Sequence, residues 1–531
     1  MPMRPLLEES PARKHKPRDT QREGVLFAVY APLGGDEALS RYPNPDKAAP
    51  IAPIGKQALV LALQQVAAEG IDVCALVDVF DDDSYLVEIP AGNAKGISIV
   101  SAWKQDMSAP QALAGFLRRA HQRFPCRALV LALEGHGGGF VPDIDSARIT
   151  AASASNWSLG AQSGKVRWVQ SEADIHFAPD GNSPALPMMA PTLPMMAPTL
   201  PATRLPMSTW ALGAALRNAQ KAGVPRPAVV HFNNCFNAST ELLHTVAPYA
   251  DHATGYANYD FFTAGATYPK VFHRLRLAGS ATPAQLASWF AEENGLLLKA
   301  KKNHPSVGST VALAAMPGVA SAINKLAAAL TAALRPANAA DRPAALARIK
   351  QAVVDTQHYD TAPGFELKVP DQFVDVSSLA LALQTQFGPG AVAAAATALL
   401  AAVGKVWRYG DWDRPWMDET RIWDFRQQHL GLNILLPDPA LQGIWDWRSP
   451  YYLSGTVDAS KAPAHRHVIN FLADTNSTPP PWVEFIVEYH RDVPFVGFMP
   501  ALAPFFPLFN KRFKGQLPHP GDEKPGTPGQ R

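Results

Sequence analysis

Two apolar segments, each followed by a chemically reactive side chain, constrain the fold of this chain more than any other feature. The first segment runs from Arg127 to Leu133 and leads into His136-Gly137-Gly138-Gly139. The second runs from Ala228 to Asn234 and ends at Cys235. Open α/β sheets bind ligands beyond the carboxyl ends of their parallel strands, and a cysteine nucleophile needs a nearby imidazole. The pattern therefore predicts a thiol protease site shared by two strand ends.

Strand and helix patterns alternate around these segments. Buried-strand patterns at 25–30 and 73–79 are separated by a helical pattern over 56–69, and another helical pattern spans 110–124. A β-α-β-α-β order favours a mostly parallel sheet with helices on its faces. The sequence thus predicts an α/β fold.

Composition divides the chain into regions. Residues 149–207 are rich in Ser, Ala, Pro and Met and contain two copies of LPMMAPT, at 186–192 and 193–199. Proline at this density prevents helix and sheet, so we predict a loop or linker there. The full predicted division is a flexible N-terminus (1–23), a peptidase-like core (24–280), a mostly helical region with added strands (281–510) and a disordered tail (511–531).

Charge and cysteine content narrow the functional classes. The chain has 531 residues with 48 Lys plus Arg and 46 Asp plus Glu, a net charge of +2, so no nucleic-acid partner is predicted. Its odd, low count of 3 cysteines argues against a disulfide framework and suits a reducing compartment. The charged, Pro-rich opening over 1–20 has no pattern of a secretory signal, so the cytoplasm is the predicted location.

Local context singles out Cys235 among the cysteines. It follows a completed strand and precedes a helical pattern that begins near Ser239, and such a position favours the thiolate. Cys74 lies inside a strand pattern and Cys126 just before one, so we interpret both as structural. His231 lies within the second strand, where packing is favoured over a catalytic role.

The three glycines after His136 would let a substrate carbonyl group approach the backbone closely. Glycine permits close backbone approach, and the Gly137 N–H is a candidate oxyanion donor. The alternatives are a histidine that only satisfies its own turn and a phosphate loop, although the Walker lysine and the G-x-G-x-x-G spacing are missing.

Metal binding is a competing interpretation. His231, Cys235, His244 and His252 are close in sequence, but they form no C-x-x-C or H-E-x-x-H pattern. Asp81-Asp82-Asp83 could hold calcium, but a solvated loop is favoured because the twelve-residue calcium-loop spacing is missing. No metal and no other cofactor is therefore predicted, with calcium kept as an alternative.

Further motifs follow one another in a fixed order between about residues 24 and 472. They are His136–Phe140 with Asp143 and Asp145, Asn234–Asn237, Tyr256–Asp260 with Gly265 and Tyr268-Pro269, Phe373–Leu379, and Gly431–Pro437. In this order they resemble the HGGGW…D, D-A-C-L-M, post-cysteine, V-D-L-x-x-L and G-L-S-I-Y-F-P segments of the clostripain family of cysteine peptidases (peptidase family C11), in the caspase-like clan.

This resemblance implies a caspase-like, mostly parallel sheet flanked by helices, with a helical C-terminal extension. It implies a cysteine endopeptidase that acts on protein or peptide substrates. His136 would be the general base or ion-pair partner and Cys235 the nucleophile. The backbone amides of Gly137 and Cys235 would hold the oxyanion.

Relatives in that family often mature by cutting a loop between the histidine and cysteine halves. Lys165, Arg167 and Arg204 lie in this interval and are candidate self-cleavage points if basic residues are preferred. The family usually has an acid two residues before the cysteine, which attracts a basic P1 side chain.

This chain has the neutral Asn233 at that position. A charged contact contributes more than a neutral hydrogen bond. Asn233 and Asp260 are the predicted S1 residues, and the P1 preference stays open. The Glu134 side chain could orient the loop or point away.

Two other functions stay open. One is a catalytically silent caspase-like adaptor or regulator, because a fold does not guarantee a function and Asn233 departs from the family. The other is a protease that acts on a membrane-active partner or contacts a membrane through 493–514, a Pro-interrupted apolar run that ends in basic residues. For this run an extended segment covering the core is favoured. The oligomeric state is not predicted.

Overall fold

The computed structural model describes residues 24–33, 37–44, 48–79, 83–101, 107, 110–135, 137–140, 207, 209–258, 260, 262–300, 308–359, 373–409, 430–436, 481–489 and 491. The strands in these ranges are β1 (Gly24–Pro32), β2 (Asp72–Val79), β3 (Asp83–Ile89), β4 (Ser98–Ser101), β5 (Cys126–Glu134), β6 (Pro227–Asn233), β7 (His252–Tyr256), β8 (Gly308–Ala312), β9 (Phe373–Asp375), β10 (Trp407–Tyr409) and β11 (Asn433–Leu435).

Helices alternate with these strands along the chain. They are α1 (Glu37–Arg41), α2 (Ala58–Ala68), α3 (Pro110–Arg123), α4 (Thr209–Lys221), α5 (Thr240–Val246), α6 (Tyr268–Ala278), α7 (Pro283–Ala300), α8 (Met316–Leu334), α9 (Arg342–Asp355), α10 (Val376–Phe387), α11 (Ala391–Val403) and α12 (Pro481–Tyr489).

One 9-stranded mixed sheet organises the fold, with the strand order β10-β8-β7-β6-β5-β1-β2-β3-β4. The five central strands from β7 to β2 run parallel to one another. Antiparallel strands extend both edges, with β3 and β4 on one side and β8 and β10 on the other. The predicted α/β fold with flanking helices is confirmed, and its parallel pairing is concentrated in the centre of the sheet.

Helices cover both faces of the sheet. Alternate residues of β1 divide between two cores, with Leu26, Ala28 and Tyr30 on one face and Phe27 and Val29 on the other. Successive strand side chains point to opposite faces, and a central parallel strand buried on both sides is apolar along its whole length. Helices α2, α6 and α7 pack on the second face, and α3, α4, α5 and the later helices pack on the first.

A second, 2-stranded sheet pairs β9 with β11 antiparallel. Phe373 lies opposite Leu435, and Asp375 lies opposite Asn433. An isolated bridge joins Asn433 to Ser239, just before α5. The small sheet therefore brings the C-terminal half of the chain against the segment that follows Cys235.

One stretch, Leu313–Leu334, is long and apolar enough to cross a membrane by length and composition alone. It contains α8, whose Leu326 and Leu330 are 0% and 1% exposed in the core. A core helix of a globular fold passes the same test, and 56% of the most apolar window is buried.

Several predictions lie outside the described residues. They concern 1–23, 493–514, the tail 511–531, and all of 149–207 except residue 207. The domain boundaries also stay a prediction.

Candidate active site

The carboxyl ends of β5 and β6 lie side by side. These strands pair in parallel, and their last register pair is Glu134 with Asn233. His136 lies outside the described residues, but Gly137 next to it is described. A Cβ added to Gly137 would lie 1.9 Å from the carbonyl oxygen of Cys235 and 2.6 Å from its nitrogen. The glycine turn is therefore packed against the Cys235 backbone, at a distance that only glycine permits.

Two asparagines join the glycine turn to the cysteine turn. Asn237 accepts a hydrogen bond from the Gly139 N–H through its Oδ1 at 3.1 Å, and its Nδ2 donates to Asn234 Oδ1 at 2.5 Å. Asn234 in turn donates to the Leu133 carbonyl at 3.3 Å. No role is predicted for these two side chains from the sequence, although they flank the cysteine. Their contacts depend on the pairing of β5 with β6, which no local pattern reveals.

The Cys235 thiol is buried and held by backbone. Cys235 is 1% exposed. Its Sγ accepts from the Asp260 N–H at 3.2 Å and lies in donor position 3.4 Å from the Asp260 carbonyl oxygen. The candidate S1 residue Asp260 thus contacts the Cys235 thiol through its main chain.

The residue after the cysteine has an unusual backbone conformation. Phe236 has φ +60°, a region that L residues other than Asn, Asp and His seldom adopt. Its N–H donates to the Asn258 carbonyl at 2.9 Å, and its carbonyl accepts from Asn433 Nδ2 at 2.8 Å. Strain of this kind persists where the surroundings hold it, and it concentrates at functional sites.

Strand β11 supplies part of this support. Asn433 Nδ2 also donates to the Ala257 carbonyl at 2.8 Å, and the Asn433 N–H donates to the Ala238 carbonyl at 3.0 Å. Asn433 thus joins the turn directly after Cys235 to the segment that ends at Ala257. No signal around position 433 marked this role, because its partners are distant in sequence.

Glu134 turns toward Asn233 rather than away from it. Its Oε2 accepts from Asn233 Nδ2 at 2.9 Å, and its Oε1 accepts from the Tyr268 hydroxyl on α6. Burial raises the pKa of Glu134 to about 7, although both hydrogen bonds act in the opposite direction. The neutral S1 candidate Asn233 is therefore paired with a carboxyl group from the neighbouring strand.

Asp260 belongs to the same buried region. Its Oδ1 accepts from Asn294 Nδ2 at 3.0 Å, and the same amide donates to the Tyr256 hydroxyl at 2.8 Å. Burial first, then the nearby carboxylates, raise the pKa of Tyr256 and of Tyr268 well above the ordinary value, so both phenols are neutral. We call the set Glu134, Asn233, Tyr256, Asp260, Tyr268 and Asn294 the polar cluster.

His231 packs in the sheet, as the sequence favoured. The residue is 0% exposed, its ring stacks on Phe290 with centroids 4.6 Å apart, and its Nδ1 lies 2.5 Å from Thr254 Oγ1. Burial lowers its pKa to about 3, so the ring is neutral at ordinary pH.

The other two cysteines lie in strands away from this site. Cys74 is buried within β2, and Cys126 is the first residue of β5 rather than the residue before it. Burial raises the pKa of Cys74 far above its ordinary range and that of Cys126 to about 11. Such thiols stay protonated, which agrees with structural roles.

Among the described residues, no group of three or more His, Cys, Asp and Glu side chains is placed to hold a metal ion. Asp81 and Asp82 of the calcium alternative lie outside the described residues, as do the candidate cleavage points Lys165, Arg167 and Arg204.

No protein-family model and no curated protein sequence matches the chain. Solved structures that resemble it include a secreted C11 cysteine protease from Bacteroides thetaiotaomicron in complex with an irreversible peptide inhibitor, at 12% identity and TM-score 0.46 over 78% of this chain and 92% of that chain. A structure of a secreted C11 protease from the same organism, iotapain, has 10% identity and TM-score 0.48, covering 78% and 93%.

An inactive zymogen C11 protease from Parabacteroides distasonis is also similar, at 12% identity and TM-score 0.45 over 78% of this chain and 93% of that chain. At these values the likeness assigns no function, which has to be argued from the residues of the site.

Proposed function

We propose that the chain is a cysteine endopeptidase for protein or peptide substrates, with Cys235 as the nucleophile and His136 as the base. The observation that supports this most is the packing of Gly137, the residue after His136, against the backbone of Cys235. A cysteine nucleophile requires an imidazole within reach of its proton. The parallel pairing of β5 with β6, whose last residues precede His136 and Cys235 by two positions in the sequence, also supports the proposal.

The proposed reaction uses these groups in sequence. His136 takes the thiol proton, the sulfur attacks the peptide carbonyl, and the Gly137 and Cys235 N–H groups stabilise the oxyanion. The imidazolium then gives the proton to the leaving amine, and water hydrolyses the thioester. Because Cys235 is 1% exposed, a peptide reaches the sulfur only after covering segments move.

Self-processing is part of the proposal. The interval between the two catalytic residues contains Lys165, Arg167 and Arg204. Cleavage at one of them would separate the histidine and cysteine segments in sequence while β5 and β6 stay paired in the sheet. The predicted cytoplasmic location is retained as part of the proposal.

Intact-mass spectrometry of the purified full-length chain tests both proposals. The wild type should cleave peptides and generate new termini, and Cys235→Ala should do neither. Cys126→Ala is the matched control, since this free cysteine lies at the start of β5 and its loss should leave cleavage unchanged. Equal self-cleavage by the Cys235→Ala chain would refute the assignment.

A catalytically silent adaptor is the second candidate, and the buried thiol favours it. A structural cysteine that is 1% exposed should react with iodoacetamide no faster than Cys74, which is 0% exposed. A nucleophilic Cys235 should be alkylated first at neutral pH. Slow alkylation together with no peptide cleavage would favour the adaptor.

A further inference from the structure

The segment from Leu133 to Gly139 is held at both ends by the turn around Cys235. Asn234 Nδ2 donates to the Leu133 carbonyl at 3.3 Å, and the Gly139 N–H donates to Asn237 Oδ1 at 3.1 Å. The two asparagines are joined to each other, because Asn237 Nδ2 donates to Asn234 Oδ1 at 2.5 Å. One chain of three hydrogen bonds, which we call the asparagine bridge, therefore connects the two ends of the segment.

The direction of the asparagine bridge is fixed by its ends. A backbone N–H only donates and a carbonyl only accepts, so Gly139 requires an oxygen and Leu133 requires a nitrogen. Rotating either amide by half a turn would place two donors or two acceptors against each other. In the observed orientation every nitrogen and oxygen of the two side chains has a partner. A buried network whose members are all satisfied is rigid and favours one arrangement.

Burial keeps water from replacing these contacts. Asn234 and Asn237 are 5% and 8% exposed. Gly139 has φ +58°, and a Cβ added to it would lie 2.7 Å from the ring of Phe373. Phe373 in turn stacks on Phe236, with ring centroids 5.3 Å apart. The end of the glycine turn is therefore enclosed, and the acceptor that the structure provides for its N–H is Asn237 Oδ1.

The held segment contains the groups assigned to the chemistry. His136 and Gly137 lie between its two ends, and Gly137 packs on the backbone of Cys235. Catalytic groups have to be held to within about 0.5 Å of the productive geometry, and a misplacement of about 1 Å can cost about 100-fold in rate. Packing limits how closely the glycine turn approaches Cys235. The asparagine bridge also limits how far the turn can move away.

We propose that Asn234 and Asn237 are positioning residues that hold the proposed base and oxyanion donor against Cys235. This role rests on the proposed peptidase function and adds two residues to its site. The D-A-C-L-M segment of the C11 family has Ala and Met at these two positions, so the asparagine bridge belongs to this chain and not to that motif. Both side chains act through the glycine turn rather than on the peptide.

Leucine variants of the full-length chain test this role. Leucine keeps the branched shape of asparagine, but its side chain makes no hydrogen bond. With a peptide that the wild type cleaves, Asn237→Leu should lower kcat about 100-fold. KM should stay within about threefold, because the base and the oxyanion donor act on the transition state rather than on the bound peptide.

A double variant measures the coupling of the two amides. Asn234→Leu should also lower kcat about 100-fold, because it breaks the same bridge. The chain with both substitutions should lose no more than about threefold beyond the larger single loss, since residues that act as a unit are not additive. Two losses that multiply would show that each amide acts alone and would contradict the bridge.

The ionisation of Cys235 gives a readout that needs no turnover. An imidazole beside a thiol keeps part of the thiol ionised below its ordinary pKa. The rate of Cys235 alkylation by iodoacetamide at pH 6, relative to the rate at pH 9, should therefore fall at least about tenfold in Asn237→Leu. Mass spectrometry of the modified peptide measures both rates. An unchanged ratio would contradict the positioning role.

A graded variant covers the case in which Asn237→Leu does not fold, as judged by urea unfolding. Asn237→Asp keeps an acceptor for the Gly139 N–H and loses the donor to Asn234. It should lower kcat about tenfold, between the wild type and the leucine variant, because only part of the bridge is lost. A kcat equal to that of the wild type would overturn the role of the bridge.

Asn324→Leu is the matched control. Asn324 lies on α8, is 4% exposed and accepts from the Trp482 N–H at 3.4 Å. Its replacement also removes a buried amide, but at the contact of α8 with α12, so kcat and the alkylation ratio should stay within about twofold of the wild type. An equal fall of kcat in this variant would show that the loss follows stability and would overturn the positioning role.

The results distinguish the positioning role from the peptidase function. Cleavage by the wild type, with kcat within about threefold of it in both single leucine variants, would overturn the positioning role and leave the peptidase function standing. If the wild type cleaves no peptide and generates no new termini, the peptidase function fails and the positioning role fails with it.

Discussion

Two buried carboxyl groups, Glu134 and Asp375, have similar burial but different partners. Burial raises the pKa of Glu134 to about 7 and that of Asp375 to about 6. Asp375 caps α10 and accepts from the Ser378 N–H at 2.8 Å, the Gly431 N–H at 2.9 Å and the Tyr359 hydroxyl at 3.0 Å. Among the described residues, the donors to Glu134 are the side chains of Asn233 and Tyr268.

The two carboxyl groups differ in the kind of hydrogen-bond donor that surrounds them, and this decides whether their partners can change. Backbone N–H groups are fixed by α10 and by the segment before β11, so the Asp375 carboxylate cannot exchange them. Side-chain amides and hydroxyls can rotate toward a new partner. The donors to Glu134 can therefore change partners while the fold is kept, and those to Asp375 cannot.

The largest expected effect is on the free energy of unfolding when each carboxyl group is replaced by the amide of the same shape. Asp375→Asn places an NH₂ group against fixed backbone donors and should lower the free energy of unfolding by about 3 kcal/mol, from a weakened cap and a buried donor without an acceptor. At pH 5, where Glu134 is protonated, Glu134→Gln should lower it by less than about 1 kcal/mol, since the Asn233 amide can turn to offer its unpaired oxygen to the new NH₂ group. Urea unfolding measures both. Equal losses would remove the distinction.

The second effect is on pH dependence. A carboxyl group whose pKa is raised by folding contributes stability below its unfolded pKa and loses it as pH rises through the folded value. For Glu134, between an ordinary 4.5 and about 7, the free energy of unfolding should fall by about 2 kcal/mol from pH 5 to pH 7.

Glu134→Gln should remove this part of the slope, while the part from Asp375 remains in both chains. Urea unfolding at pH 5, 6 and 7 would measure the difference. Parallel curves for wild type and variant would show that Glu134 is not protonated on folding.

The smallest effect concerns Tyr268. Its hydroxyl lowers the pKa of Glu134, so Tyr268→Phe should raise that pKa further and reduce the ionised fraction near pH 7. The fall in the free energy of unfolding caused by ionisation of Glu134 should therefore extend to higher pH in the variant, as urea unfolding at pH 7 and pH 8 would measure. The ring keeps its edge contact with Phe27, at 4.9 Å between centroids, so packing is little changed. The same pH profile in wild type and variant would argue against a hydrogen bond from Tyr268 that acts on the ionisation of Glu134.

The sequence predicted those features of the fold that depend on the pattern of apolar residues within a short segment. Apolar runs in β1, β2, β5 and β6 predicted the parallel centre of the sheet, and the residues after β5 and β6 predicted where a site would form. The packing of Gly137 on Cys235 agrees with that placement. His136 itself stays a prediction.

Other features could not be read from the sequence because they join residues far apart in the chain. The sequence left the direction of the Glu134 side chain open, and the register of β5 on β6 brings its carboxyl group to Asn233. Likewise, β11 brings Asn433 to the carbonyl group of Phe236.

The amino-acid pattern by itself thus determined the α/β class and the two strand ends at which chemistry was expected, because hydrophobic period and glycine placement act over a few residues. Tertiary structure alone decided that the neutral Asn233 is hydrogen-bonded to the carboxyl group of Glu134. It also decided that the carboxyl group of Asp375 accepts hydrogen bonds from backbone N–H groups. The physical reason is that burial and hydrogen-bond partners, which set the charge of a carboxyl group, arise only when distant segments pack together.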